Sequence, residues 1–154
     1  MPRITRSSSV VWEGNLARGR GRLSAGTHAF EELAFSLATR ITATEGATSP
    51  EELLAGAHAA CFAMSLAGEL TGDGTPPTLL EVSCEIVMDE VGGAGHQIVG
   101  SNLEARAAVE GIDDAALAAV ADRADEACPF SALLKRAGAE VTLDARLRPP
   151  TENG

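Results

Sequence analysis

At 154 residues, 45% hydrophobic and 22% charged, the chain has the size and balance of one globular domain, which excludes disordered and collagen-like classes. Twelve Lys and Arg against 22 Asp and Glu give a formal charge of −10, which repels phosphate backbones and sets nucleic acid aside as a partner. No apolar run is expected to reach the roughly 20 residues that cross a bilayer, and the opening MPRITRSSSVVWEG has no hydrophobic signal segment, so a cytoplasmic protein without a membrane partner is expected.

A single domain over 1–154 is expected, with flexible ends at about 1–8 and 149–154. Residues 9–24 and about 28–41 read as a β-meander: Val10, Val11 and Trp12 are followed by a Gly-punctuated turn, then by alternating segments such as Phe35-Ser36-Leu37-Ala38. Arg18, Arg20 and Arg22, interleaved with glycine, decorate a turn, with RNA binding only a minor alternative. A loop, Thr44 to Thr48, leads to Ser49-Pro50-Glu51-Glu52, where an N-cap serine, a first-turn proline and a glutamate three residues after the serine start a helix. The body of that helix, LLAGAHAACFAMSLAGEL, is almost uncharged, so burial around most of its circumference is expected.

Thr71 to Pro77 breaks the helix, and LLEVSCEIVMDE and HQIVGSNLEARAAVE form a hairpin about Gly92-Gly93-Ala94-Gly95. Asp113 or Asp114 caps a second helix to about Ala127, Pro129 opens a third that ends near Gly138, and AEVTLDARL is a last strand. The order lacks the βαβ alternation of a doubly wound sheet, so the class is α+β.

Cys61, Cys84 and Cys128 include no CxxC pair, and the three histidines form no ligand set with them, so neither a metal nor any other cofactor is predicted. An odd count in a cytoplasmic chain points to reactive thiols rather than a disulfide framework, although buried apolar cysteines are the commoner case for any one of them. A reactive thiol needs a nearby cation or a helix N-terminus to become a thiolate near pH 7. Cys128, just before Pro129, has the helix N-terminus, which is expected to favour its thiolate. Cys61, mid-helix and among apolar residues, has its pKa raised by burial and needs a cation from elsewhere, for which Arg18 and Arg40 are candidates. Cys84, in an alternating strand with no cation nearby in sequence, reads as packing. His58 shares a helix face with Cys61 and so can act on its thiol, against the commoner case of a packed histidine with its hydrogen bonds satisfied. Phe62, Met64 and Leu54 are candidates to line an apolar substrate pocket, and ordinary core packing explains them equally well.

The segments SPEELLAGAHAACFAMSLAGEL, ACPFSALLK and WEGNLARGRG, taken together, resemble the OsmC-like organic hydroperoxide reductase family, in particular its OsmC branch, over nearly the whole chain. The resemblance implies antiparallel sheets packed around a long central helix in an intertwined homodimer. It also implies a peroxidase for organic hydroperoxides, and more weakly hydrogen peroxide, acting in oxidative and osmotic stress. Cys61 then matches the attacking cysteine and Cys128 the one that resolves its sulfenic acid into a disulfide, with a dithiol of lipoyl type as reductant. Glu51 matches the glutamate that holds the catalytic arginine. Arg40 matches that arginine in the OsmC branch, with Arg18 the alternative, because the Ohr branch draws its arginine from the N-terminal strands. Ten residues of helix, about 15 Å, separate Glu51 from Cys61, so Glu51 is expected to act on the partner chain's Cys61 across a two-fold axis. The rival functions are a binding protein of the same fold, taking a small apolar ligand at the dimer interface, and a purely structural role.

Overall fold

The structure is a computed structural model that describes residues 3–42 and 45–149. The chain falls into two compact units, Met1–Leu53 and Leu54–Gly154.

In the first unit, strands β1 (Ser8–Glu13), β2 (Arg20–Ala25) and β3 (Leu33–Phe35) form an antiparallel sheet in that order. β1 begins at Ser8, expected in a flexible end, which pairs with Ala25. The meander does not continue to residue 41: Leu37–Ile41 is a short helix, α1. Its signal is a capping box, in which the Ser36 hydroxyl accepts the Thr39 N–H at 3.1 Å and the Thr39 hydroxyl accepts the Ser36 N–H at 2.8 Å. That local satisfaction of orphan amides overrides the alternation of Phe35 to Ala38. Of the expected loop Thr44 to Thr48, Thr44 lies outside the described residues.

Phe35 stacks tilted on Trp12 with centroids 5.8 Å apart, and the β2–β3 pairing sets Gly21 opposite it. A Cβ on Gly21 would sit 2.2 Å from Phe35 Cζ, so the ring occupies the space of the missing side chain. Gly21→Ala is expected to push Phe35 off Trp12 and destabilise this unit by about 1–3 kcal/mol; the Trp12 emission of the folded protein would shift, and an unchanged spectrum and melting curve would contradict the contact.

Helix α2 (Pro50–Gly72) crosses the unit boundary. Ser49 caps it as expected, its hydroxyl accepting the Glu52 N–H at 3.1 Å, but the Glu52 carboxylate takes the Thr48 hydroxyl at 2.8 Å instead of closing the box. The helix buries His58, Phe62, Leu66 and Leu70 completely, a single row at spacing four, while Met64 is 70% exposed. Burial around most of the circumference is therefore not what one chain provides. With alanine on nearly every face, composition marks no polar side and does not say which faces are covered. The 23-residue helix, with an 18-residue window at mean hydropathy 1.4, is also long and apolar enough by composition to cross a membrane, contrary to the expectation that no such run exists. Its helical stretch tolerates the two glutamates at its start and still averages apolar, which a search for unbroken runs misses. Here its buried row sits in a protein core, and its C-terminal turn is tied to the next helix through Glu69 and Asp73, which Arg123 reaches at 3.1 and 2.5 Å.

The second sheet runs β4 (Leu79–Val91), β5 (Gly95–Ala108), β6 (Glu140–Leu147). β4 and β5 form the expected antiparallel hairpin, with a bulge between Val87 and Met88. β6 pairs with β5 in parallel, because helices α3 (Asp114–Ala127) and α4 (Pro129–Arg136) carry the chain back across the sheet between them. The α+β class holds, with the second sheet mixed rather than antiparallel. Asp113 is the N-cap of α3, its carboxylate accepting the Ala116 N–H at 2.8 Å.

Register puts Ser101, Leu103, Ala105 and Ala107 of β5 on one face, beside Leu80, Val82 and Cys84 of β4 and Val141, Leu143 and Leu147 of β6. Phe62, Leu66, Leu70, Leu117, Val120 and Cys128 complete this core. Phe62→Ala would remove a fully buried ring from its centre. The expected cost is about 3–5 kcal/mol, a fall in melting temperature of roughly 10 °C for a chain this long, measurable by calorimetry.

Candidate active site

The first unit supplies a guanidinium and a carboxylate. Arg40 lies in the last turn of α1 and Glu51 in the first turn of α2, where the helix dipole favours an acid. Arg40 Nε and Nη2 both donate to Glu51 Oε1, at 2.9 and 2.5 Å. The contact forks onto one oxygen rather than bridging both; Glu51 Oε2 is buried without a hydrogen-bond partner among the described residues. Glu51 is 15% exposed and Arg40 40%. Arg40 also borders a small cleft of about 100 Å³ whose other walls include Trp12, Leu16, Phe35, Leu37 and Pro50. Beside it, Val10, Leu23, Phe35, Pro50 and Leu53 line a second cavity of about 300 Å³. Arg18 is exposed in the turn between β1 and β2, where its N–H donates to the Asn15 side chain at 3.0 Å. Arg22 pairs with Glu13 at 3.4 Å and Glu32 at 3.7 Å, so part of the arginine cluster serves the sheet itself.

The second unit supplies the thiols. Cys61, half-buried on α2, and Cys128, fully buried between α3 and α4, are both free, and the Cys128 side chain lies near enough to act on the Cys61 thiol. Burial, first, and then the Cys128 thiol push the Cys61 pKa up, while a hydrogen bond from the Phe130 N–H pulls it down. The helix N-terminus thus acts on a different cysteine from the one expected. Cys128 is the N-cap of α4 but its side chain makes no capping bond, Pro129 has no N–H, and the first amide available, that of Phe130, is given to Cys61. Cys61 matches the expectation that burial alone makes its thiol a poor nucleophile.

His58 Nδ1 is 2.8 Å from the Ser101 hydroxyl and Nε2 2.8 Å from the Ser131 hydroxyl, so both ring nitrogens are engaged away from Cys61. Cys84 joins the same group, its sulfur 3.2 Å from Ser101 Oγ and 3.8 Å from His58 Nδ1. It packs against the core as expected, with these polar contacts in addition. Burial pushes its pKa up, partly opposed by the Ser101 hydrogen bond. Of the residues expected to line a substrate pocket, Phe62 belongs to the core and Met64 is exposed, and neither borders the clefts beside Arg40. Phe130, Ser101 and Ser131 had no part in the sequence expectations, although Cys-Pro-Phe, with proline at the first helical position, already makes Phe130 the first free amide.

Burial holds the His58 pKa below its ordinary value, with Asp125 raising it and Lys135 lowering it. Between the folded value and about 6.5 the unfolded chain takes up a proton that the folded one refuses, so stability falls as pH drops through that range. Urea midpoints at pH 7.5 and 5.5 are expected to show this loss, and His58→Gln to reduce it; an equal loss in both proteins would assign it to other groups.

The OsmC-like protein family model matches residues 43–144. Peroxiredoxin OsmC of Escherichia coli K12 is 35% identical over 145 residues, covering 94% of this chain and 98% of that protein. The chain belongs to the OsmC-like family. Its match to an organic hydroperoxide resistance protein of Xanthomonas axonopodis pv. citri is also 35% identical but covers only 62% of this chain and 65% of that protein, in keeping with the OsmC branch. The fold agrees: the crystal structure of an organic hydroperoxide resistance protein OsmC from Legionella pneumophila superposes with a TM-score of 0.74 at 20% identity, covering 94% of this chain and 99% of that one. OhrB of Bacillus subtilis gives 0.68 at 20% identity, covering 92% and 98%. The matched region of this OsmC-like chain includes Glu51, Cys61 and Cys128, and begins after both Arg18 and Arg40.

Proposed function

We propose that this OsmC-like protein is a two-cysteine thiol peroxidase that reduces organic hydroperoxides to alcohols in stress defence, more weakly accepting hydrogen peroxide. The observation that carries this is a pair of free cysteines brought together at the start of α4, with Cys128 as its N-cap and Cys61 near enough to feel both the Cys128 thiol and the Phe130 amide. The Cys61 thiolate attacks the peroxide oxygen, the O–O bond breaks, and the alkoxide leaves with a proton as the alcohol, so that sulfur is oxidised to the sulfenic acid. The Cys128 thiol then displaces hydroxide from that sulfur, water is released, and a disulfide closes. Two thiols near enough to act on one another need little rearrangement to reach it. A dithiol of lipoyl type opens the disulfide by exchange and is itself oxidised to a disulfide.

Burial raises the Cys61 pKa, so the reaction calls for a cation at the sulfur. Arg40 is the proposed one, with Glu51 holding its guanidinium, and Arg18 is the alternative. Because Glu51 and Cys61 are separated by ten residues of one helix, Glu51 is proposed to serve the Cys61 of a second copy in a homodimer. The exposed Met64 and the partly uncovered α2 suit a face that a second copy covers. The clefts beside Arg40 have the size and apolar lining for the alkyl part of a peroxide. Those same clefts support the second reading, a carrier of small apolar ligands without turnover. Cytoplasmic action, without nucleic-acid or membrane partners, completes the proposal.

Consumption of cumene hydroperoxide with dihydrolipoamide, followed by peptide mapping of the oxidised protein, tests the two readings. Turnover with a Cys61–Cys128 disulfide supports the peroxidase. No consumption, with both thiols still free and the hydroperoxide bound, would leave the carrier.

A further inference from the structure

One imidazole ties together α2, α4 and β5 around the thiols. His58 and Cys61 stand one turn apart on α2, and Phe130 and Ser131 are neighbours in the first turn of α4. The start of α4 therefore meets α2 through a hydrogen bond, His58 Nε2 lying 2.8 Å from the Ser131 hydroxyl, and one residue earlier the Phe130 N–H lies near enough to Cys61 to act on its thiol. The other side of the ring is anchored to β5 through Ser101 at 2.8 Å, and Ser101 is in turn 3.2 Å from Cys84 of β4. His58, Ser101 and Ser131 are all completely buried. A neutral imidazole has one donor and one acceptor, and a serine hydroxyl can serve as either, so both tautomers satisfy the network. The geometry gives His58 nothing to exchange with Cys61 directly. What it fixes is where α4 begins.

We infer that His58 is a positioning residue for the Cys61 chemistry: through Ser131 it holds the first turn of α4 so that the Phe130 N–H and Cys128 stay beside the Cys61 sulfur. The inference rests on the two-cysteine reading for its biological meaning, but its geometric content concerns the Cys61 thiol alone. A hydrogen bond to a thiolate is charge-assisted, and losing it lowers the thiolate population by roughly tenfold. No side chain caps α4, so besides the packing of Cys128 and Phe130 on the core, the Ser131 hydroxyl supplies the polar link of this turn to α2. Lys135 and Asp125 pair at the far end of the helix, joining it to α3 instead.

The test is the pH profile of Cys61 alkylation by iodoacetamide, followed by peptide mass mapping in the full-length reduced protein without peroxide. Ser131→Ala removes the link and leaves His58 bonded to Ser101. It is expected to move the Cys61 profile to higher pH by about one unit and to slow closure of the disulfide after a single equivalent of peroxide by roughly tenfold. Ser131→Thr, which keeps the hydroxyl, is expected to restore both. His58→Gln, able to reach one serine but not both, is expected to fall between; if it fails to fold, the two Ser131 variants carry the test. A folded Ser131→Ala protein whose Cys61 profile matches the unaltered chain would overturn the inference. Because the profile is taken without peroxide, a protein that alkylates as described but never turns over peroxide would refute the peroxidase and leave the positioning role standing.

Discussion

Cys61→Ser is expected to abolish hydroperoxide reduction, with loss of at least roughly 10³-fold in turnover. A hydroxyl in the same half-buried position is neither acidic enough to ionise near neutral pH nor soft enough to attack an O–O bond, and no other thiol has the same surroundings. Cys84 is half-buried too, but its sulfur is spent on Ser101 and His58; Cys128 is fully buried. Cys128→Ser should behave differently. It leaves the first step intact, so each subunit should consume one equivalent of peroxide and stop with a sulfenic acid that dimedone traps. Excess peroxide would then carry Cys61 on to sulfinic acid, the fate that a resolving Cys128 would prevent. Stopped-flow peroxide consumption with intact-mass measurement separates the two variants. Persistent turnover in Cys61→Ser would remove this cysteine from the mechanism altogether.

What the sequence made legible follows from how local each signal is. Ser49-Pro50, Asp113 and Cys128-Pro129 announce helix starts through groups within three residues of the cap, and the structure places α2, α3 and α4 there. The hairpin of β4 and β5 was equally plain, because alternation and a glycine turn specify it without distant help. Helix α1 was misread because Phe35 to Ala38 also alternates, and a capping box of serine and threonine is a weaker sign than one with glutamate. The parallel pairing of β6 could not be read from its own residues, since direction is set by the two helices before it. The same holds within the site. Cys61 and Cys128 were identifiable one at a time, but the Phe130 amide comes near Cys61 only where α4 meets α2, and the hydrogen bonds at that junction join His58, Ser101 and Ser131, drawn from three separate elements. A lone histidine in an alanine-rich helix carries no mark of which serines it will meet.

Arg40→Met is expected to lower kcat/KM for cumene hydroperoxide by about 10²- to 10³-fold, the range for losing one preorganised charged donor to a developing anion. Burial and the Cys128 thiol both raise the Cys61 pKa, and in the proposed mechanism the guanidinium is what opposes them. Its removal therefore moves thiolate formation to higher pH, and alkylation of Cys61 at pH 6 to 7 should slow in parallel with peroxide reduction. Arg40→Lys keeps the charge but not the fork that places two N–H groups on Glu51 Oε1, so it should recover only part of the activity. The pairing itself adds little to folding, because Arg40 is 40% exposed and solvent screens such contacts to about 1 kcal/mol or less. The larger structural effect of Arg40→Met is a mostly buried Glu51 carboxylate left without its cation. Adding Glu51→Gln should relieve that penalty and raise the melting temperature of the double variant above that of Arg40→Met, yet return none of the lost turnover. Stability and catalysis are separated by that comparison. If Arg18→Met instead shifts the Cys61 alkylation profile while Arg40→Met leaves it in place, the catalytic cation is Arg18, and the ion pair of Arg40 with Glu51 serves only to hold α1 against the start of α2.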